Sequence, residues 1–335
     1  MSLRPLSMLA FALLWIACGH AGARDVVLHN ASYDPTREFY VEYNRMFAVW
    51  WRQQHGEHLD VTMSHAGSWA QADAILAGRA ADVASLATAG DIDRLAAAGL
   101  LADDWRSRLP GHSAPYTSTV VFLVRKGNPK RIVDWGDLAR RDIAVVTPDP
   151  RTSGGGRWNY LAAWTWAART YRDGAQVLTY MRRLFDNAVA ASAGARDATQ
   201  VFVDQQLGDV LVAWESEALR QLTDPATNRS FDIVYPSISI RAEPAVAVVD
   251  RYAAAHGTTA VAGQYLARLY TPAAQSLAAQ HHFRPSRPDG VPASLRARFR
   301  PLVMVDVDTA FGGWRRAQAV HFDEGGLYDQ IERTR

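Results

Sequence analysis

The sequence predicts two α/β domains joined by two crossing segments, with a ligand cleft between them. Three observations predict it. Short β-rich runs alternate with helical stretches in two successive sets, one continuous apolar strand interrupts them, and four helix starts rich in small or cap-forming residues lie along the chain. At 335 residues, 48% of them hydrophobic, the chain is long enough for two cores, and its mean hydropathy of -0.16 is that of a soluble globular protein.

Residues 1–23 stand apart. Arg4 supplies a positive start, residues 9–17 an apolar run too short for a bilayer, and Ala21-Gly22-Ala23 a small-residue cleavage site, so a secretory signal peptide is expected. The only cysteine, Cys18, falls inside it. Cleavage after Ala23 therefore leaves no thiol for a disulfide, a nucleophile or a metal. Lipid attachment at Cys18 is the alternative, and Trp15 fits that pattern poorly.

The first set then runs as strand 25–29, amphipathic helix 35–54, strand 59–63, helix 68–77, strand 81–86 and helix 92–98. Residues 119–125 form the continuous apolar strand, closed by the turn Lys126-Gly127-Asn128-Pro129. The second set follows as strand 143–146, helices 155–171, 177–185 and 199–206, and strand 209–214, with a return strand at 246–249 and helices beyond. Mostly parallel sheets are expected from this rhythm. The crossings fall near residues 117–121 and 243–248. Residues 24–117 with 248–335 are expected as a discontinuous first domain, and 118–247 as the second.

Charge excludes some classes of partner. The 36 basic and 34 acidic residues lose only Arg4 with the leader, and the remainder are dispersed, so no footprint for nucleic acid or an anionic membrane is present. No later segment is long and apolar enough to span a bilayer.

The four helix starts carry the functional reading. A helix N-terminus presents orphan N–H groups and partial positive charge, so several aimed at one cleft hold an anion without a lysine. Asp34 before Pro35 is a cap with proline in the first turn, and taken alone it reads first as a plain helix cap. Ser68-Trp69-Ala70-Gln71 matches a capping box, and Trp69 is expected beside the site or over its rim. In Thr152-Ser153-Gly154-Gly155-Gly156 the glycines let consecutive N–H groups converge, while the missing Lys excludes a Walker loop. Gly194-Ala195-Arg196 gives another small-residue turn with a capping-box pattern after it. Trp214 ends an apolar strand, and a buried indole N–H needs an acceptor that an anion supplies.

Three other signals read as structural. Ser64 or Ser68 beside His65 lacks the third group of a nucleophile–base arrangement, so a secreted Ser/His hydrolase is the weaker rival. Asp91 and Asp93 read as solvated residues of a helix start. His281-His282 lacks metal spacing, and no metal or other cofactor is expected.

Several ordered stretches resemble the periplasmic sulfate-binding proteins of ABC-type sulfate uptake systems. They are residues 31–38 around Tyr33-Asp34-Pro35-Thr36, 113–119, 122–129, 157–164, 208–215 around Ala213-Trp214-Glu215, and Phe311-Gly312-Gly313-Trp314. The resemblance implies a two-domain periplasmic-binding-protein-like fold of type II that closes on its ligand like a hinge. It implies backbone donors at Asp34, Ser153, Gly154, Gly155 and Ala195, the hydroxyl of Ser68 and the indole of Trp214, with Arg196 and Trp69 next to the anion. It further implies a monomeric, non-enzymatic protein of the periplasm, with sulfate as ligand and the permease subunits of a transporter as partners. One departure stands out: the family's second helix start continues from its Ser with a small residue and Lys, where this chain has Trp69 and Ala70. Thiosulfate, or another tetrahedral oxyanion such as molybdate, is the alternative ligand.

Overall fold

The computed structural model describes residues 25–332, so the expected leader with Arg4 and Cys18 lies outside the described residues. Two sheets organise the chain. The first takes β1 (Asp25–Tyr33), β2 (His58–Ala66) and β3 (Val83–Leu86) in parallel, with β1 between the other two. The helix Arg37–His55 covers it, burying Phe39, Tyr40, Tyr43, Phe47 and Trp51. Their three- and four-residue spacing makes one helical stripe, which packs with Leu28, Leu59 and Tyr265.

The chain enters the second sheet through β4 (Tyr116–Arg125). Val120, Phe122 and Val124 point into one core and Val121 and Leu123 into another, which is why this strand reads as a continuous apolar run. β5 (Val145–Pro148), β6 (Ala188–Ser192) and β7 (Val210–Trp214) follow, with β5 parallel to both β6 and β7. β8 (Phe231–Val234) and β9 (Ser239–Ala242) pair antiparallel with β4, as does β7. After Glu243 and Pro244, β10 (Ala245–Val248) returns to the first sheet, antiparallel to β3. The expectation of mostly parallel sheets thus fits the first sheet, whereas the second is mixed because β4 runs against its neighbours. Among the described residues no helix is long and apolar enough to cross a membrane.

Several element boundaries differ from the sequence reading. The last helix of the second set spans Ala195–Val203 and not 199–206, with Gly194 as a cap that has no side chain to offer. The residue capping the helix Ser68–Leu76 is Gly67, and Gln71 makes no capping box. Its amide instead donates to the Ser32 carbonyl at 2.9 Å and its oxygen accepts from Ser64 Oγ at 3.2 Å. Asp34 is the first residue of a 3-10 turn, Asp34–Thr36, rather than a cap.

Candidate functional site

Every segment singled out as a helix start leaves the carboxyl end of a strand. Asp34 follows β1, Ser68 follows β2, the glycine run follows β5, Ala195 follows β6, and Trp214 ends β7. Ligands of open α/β sheets sit beyond such ends. Contacts show how closely the segments converge. A Cβ built on Gly154 would stand 3.1 Å from Ser68 Cβ and 2.6 Å from Ala87 Cβ, and one on Gly155 would stand 2.5 Å from Trp214 Nε1 and 3.2 Å from Ala195 Cβ. One on Gly67 would meet the carbonyls of Thr152 and Ala193, at 2.6 and 2.8 Å, and Gly194 packs against the Asp34 carboxylate. The side-chain-free positions are what let backbone from both sheets meet.

The donors at this meeting point are left over by the local hydrogen bonding. Among the described residues the N–H groups of Asp34, Ser68, Gly154, Gly155 and Ala195 have no acceptor, as the first turn of a helix requires. Trp214 is 2% exposed and its Nε1–H has no partner, a costly state for a buried donor.

The hydrogen bonds of the two serines differ from those the resemblance implies. The Ser68 hydroxyl is spoken for, because it donates to Asp91 Oδ2 at 2.5 Å and accepts the Ala87 N–H at 2.9 Å. Ser68 is left with its backbone N–H to offer. The Ser153 N–H donates to the Asp149 carbonyl at 2.9 Å, and its Oγ accepts from Gly156 at 3.3 Å, so its hydroxyl proton is what remains. Asp91, expected in solvent, is fully buried and takes the Ser68 hydroxyl and, at 3.5 Å, Arg157 Nη1. Asp93 accepts the Trp105 indole at 3.0 Å. No sequence spacing links Ser68, Asp91 and Arg157, which only the fold brings together.

Charged side chains surround the donors but are already paired. Arg196 bonds both Glu38 oxygens at 2.8 and 2.9 Å and Glu217 at 3.0 and 3.1 Å, bridging elements of the two sheets. Burial works against its charge, but those carboxylates outweigh it and raise its pKa. Glu38, opposed by burial but bonded to Arg196, is held down to about 2. Asp34 is 5% exposed, and burial, only partly offset by Arg37, raises its carboxyl to about 6. The Trp69 indole is half-buried and lies under two guanidiniums, those of Arg94 and Arg157.

The remaining signals have ordinary partners, except that the buried Nδ1 of His65 has none. Ser64 donates to Gln71 and neither it nor Ser68 bonds His65, whose pKa burial and Arg37 lower to about 4. His281 pairs with Glu42 and His282 with Thr223. No cluster of metal-ligating side chains occurs among the described residues. A larger open groove of about 570 Å³, near Trp164, Arg169, Phe311 and Arg316, includes none of the orphan donors.

Two sheets whose strand ends share one set of buried, unpaired donors define a solute-binding protein of the mixed α/β kind. The comparisons narrow that class. Residues 43–284 match the family model described as bacterial extracellular solute-binding protein. The chain is 46% identical over 312 residues to the sulfate-binding protein of Escherichia coli K12, covering 93% of this chain and 94% of that one. It is 42% identical to the thiosulfate-binding protein of Pseudomonas aeruginosa PAO1, covering 94% and 95%. The solved structure of the sulfate-binding protein SubI from Mycobacterium tuberculosis H37Rv superposes with a TM-score of 0.75 at 29% identity, covering 89% of this chain and all of that one. The chain belongs to the bacterial extracellular solute-binding protein family.

Proposed function

We infer that the protein captures sulfate outside the cytoplasm and delivers it to an ABC-type importer, as its sulfate-binding relatives suggest. The observation that carries this reading is the buried Trp214 indole N–H, without a partner, facing Gly155 and Ala195 among orphan backbone donors. The anion is held by the N–H groups of Asp34, Ser68, Gly154, Gly155 and Ala195, the Ser153 hydroxyl and the Trp214 indole. Hydrogen bonds to a charged partner contribute roughly 1.5–3 kcal/mol each, and together they offset much of the dehydration of a dianion. A lining of donors also disfavours an oxyanion that brings its own proton, as hydrogen phosphate does.

The lobes built on the two sheets, joined near residues 117–121 and 243–248, close over the anion, and the closed shape is what the permease subunits recognise. The protein works as a monomer in the periplasm, exported by a leader at residues 1–23, and carries out no catalysis. The hydroxyls of Ser64 and Ser68 donate to Gln71 and Asp91 and not to His65, which supports binding over hydrolysis. Thiosulfate is the second reading, favoured by the 42% identical thiosulfate-binding relative. Isothermal titration with sulfate, thiosulfate and molybdate at one ionic strength decides between them. Sulfate binding tighter than the other two is the expected result, and no heat with any of them refutes the function.

A further inference from the structure

Trp69 occupies a place that the anion donors do not explain. It stands second in the helix Ser68–Leu76, beside the first sheet, and its ring lies 4.0 Å from Arg157 Cζ and 3.4 Å from Arg94 Cζ. Arg94 belongs to the helix Ala89–Ala97, on the same side, and is tied to Asp73 at 2.6 Å. Arg157 comes from the helix Gly154–Thr170, which packs on the second sheet, so the Trp69–Arg157 contact spans the cleft.

Arg157 is 2% exposed and joins the glycine turn to its surroundings. Its Nε donates to the Pro150 carbonyl at 2.8 Å, and Nη1 donates to Gln318 at 3.0 Å. Its contact with Asp91 across the cleft is long, at 3.5 Å. A buried guanidinium whose one contacting carboxylate is distant, with Arg94 nearby, Asp73 and Asp323 acting only at longer range and the Phe322 ring 5.2 Å from Cζ, is under-compensated. An aromatic face supplies the missing attraction, because the negative face of an indole favours a planar cation in a desolvated site.

We propose that Trp69 is a positioning residue for anion retention. Its indole holds Arg157 across the cleft and so keeps the Thr152–Gly156 turn seated against Ser68 while the anion is bound. This rests on the sulfate reading. The contact exists only when the two sides meet, so its loss speeds release and leaves capture unchanged.

The test is stopped-flow binding of sulfate to the full mature protein, followed by intrinsic fluorescence, for wild type, W69F and W69L, each with Arg157 or R157K. R157K keeps the charge facing Asp91 and removes the planar group that stacks. W69L is expected to raise the release rate about tenfold with the association rate within twofold, and W69F to recover part of the loss. In the R157K background W69L is expected to add less than threefold, because the coupled pair is already broken. A W69L release rate within twofold of a sulfate-binding wild type overturns the proposal. So does an equal tenfold effect in both backgrounds, which is what a purely structural Trp69 produces. A wild type that takes up no sulfate refutes the functional reading itself, a different result from either.

Discussion

Replacing Trp214 by Phe separates a ligand donor from a core residue. The indole is 2% exposed, lies with its ring centroid 5.7 Å from that of Tyr33, and has its Nε1–H buried without a partner. If the N–H binds the anion, W214F removes one charge-assisted hydrogen bond, worth roughly 1.5–3 kcal/mol, and affinity falls by about 10- to 150-fold. The anion-free protein responds differently. There the substitution removes an unsatisfied buried donor, a gain of about 1–3 kcal/mol, which offsets the smaller ring's lost packing of similar size. The expected pattern is therefore weaker sulfate binding by titration calorimetry with nearly unchanged urea unfolding of the anion-free protein. Affinity within twofold of wild type, together with a stability loss above about 2 kcal/mol, would show Trp214 to be core alone and refute the reasoning.

Gly155→Ala places a methyl group 2.5 Å from Trp214 Nε1, and Gly154→Ala one 2.6 Å from Ala87 Cβ, so each is expected to reduce sulfate affinity at least a hundredfold in a folded protein. Calorimetry with circular dichroism checks both, and near-native affinity in either variant counts against the donor arrangement. Asp34 titrates near 6 because burial raises it, so the folded chain keeps a proton there that the unfolded chain has lost. The sign follows: this stability is complete below about pH 4 and is lost as pH rises through 6, by up to about 3 kcal/mol. Asp34→Asn is expected to flatten that slope in urea unfolding of the anion-free protein, and an unchanged slope contradicts the shift. Phosphate is expected to compete poorly with sulfate, and less poorly as pH rises and it loses its proton, because a donor-lined site leaves that proton unpaired. Competition titrations across pH test this, and phosphate equal to sulfate at neutral pH eliminates the donor-only site.

What was legible in the sequence was local. The helix Arg37–His55 announces itself by its apolar stripe, and β4 by an unbroken apolar run that both cores need. The glycine run marks a close backbone approach, since no side chain fits there. β6 was not legible, because Ala188–Ser192 carries little β preference of its own and becomes a strand by pairing with β5. Residues 194–196 read as a helix start, but the bounds 199–206 begin four residues late, because the cap is the glycine Gly194, which offers no side chain.

By itself the sequence determined the class of chemistry. Turn residues and helix starts without counter-charge are properties of a few consecutive residues, and they produce orphan N–H groups wherever the chain folds. Which atoms are left to donate was decided only by the tertiary structure. Ser68 yields its hydroxyl to Asp91, 23 residues away, which leaves its N–H, whereas Ser153 gives its N–H to Asp149 within a local turn. Arg196 spends its charge on Glu38, 158 residues distant, and Trp69 meets Arg157 across the cleft. A hydrogen bond is committed by geometry at about 3 Å, and spacing along a chain carries no information at that scale until the strands have set the ends side by side.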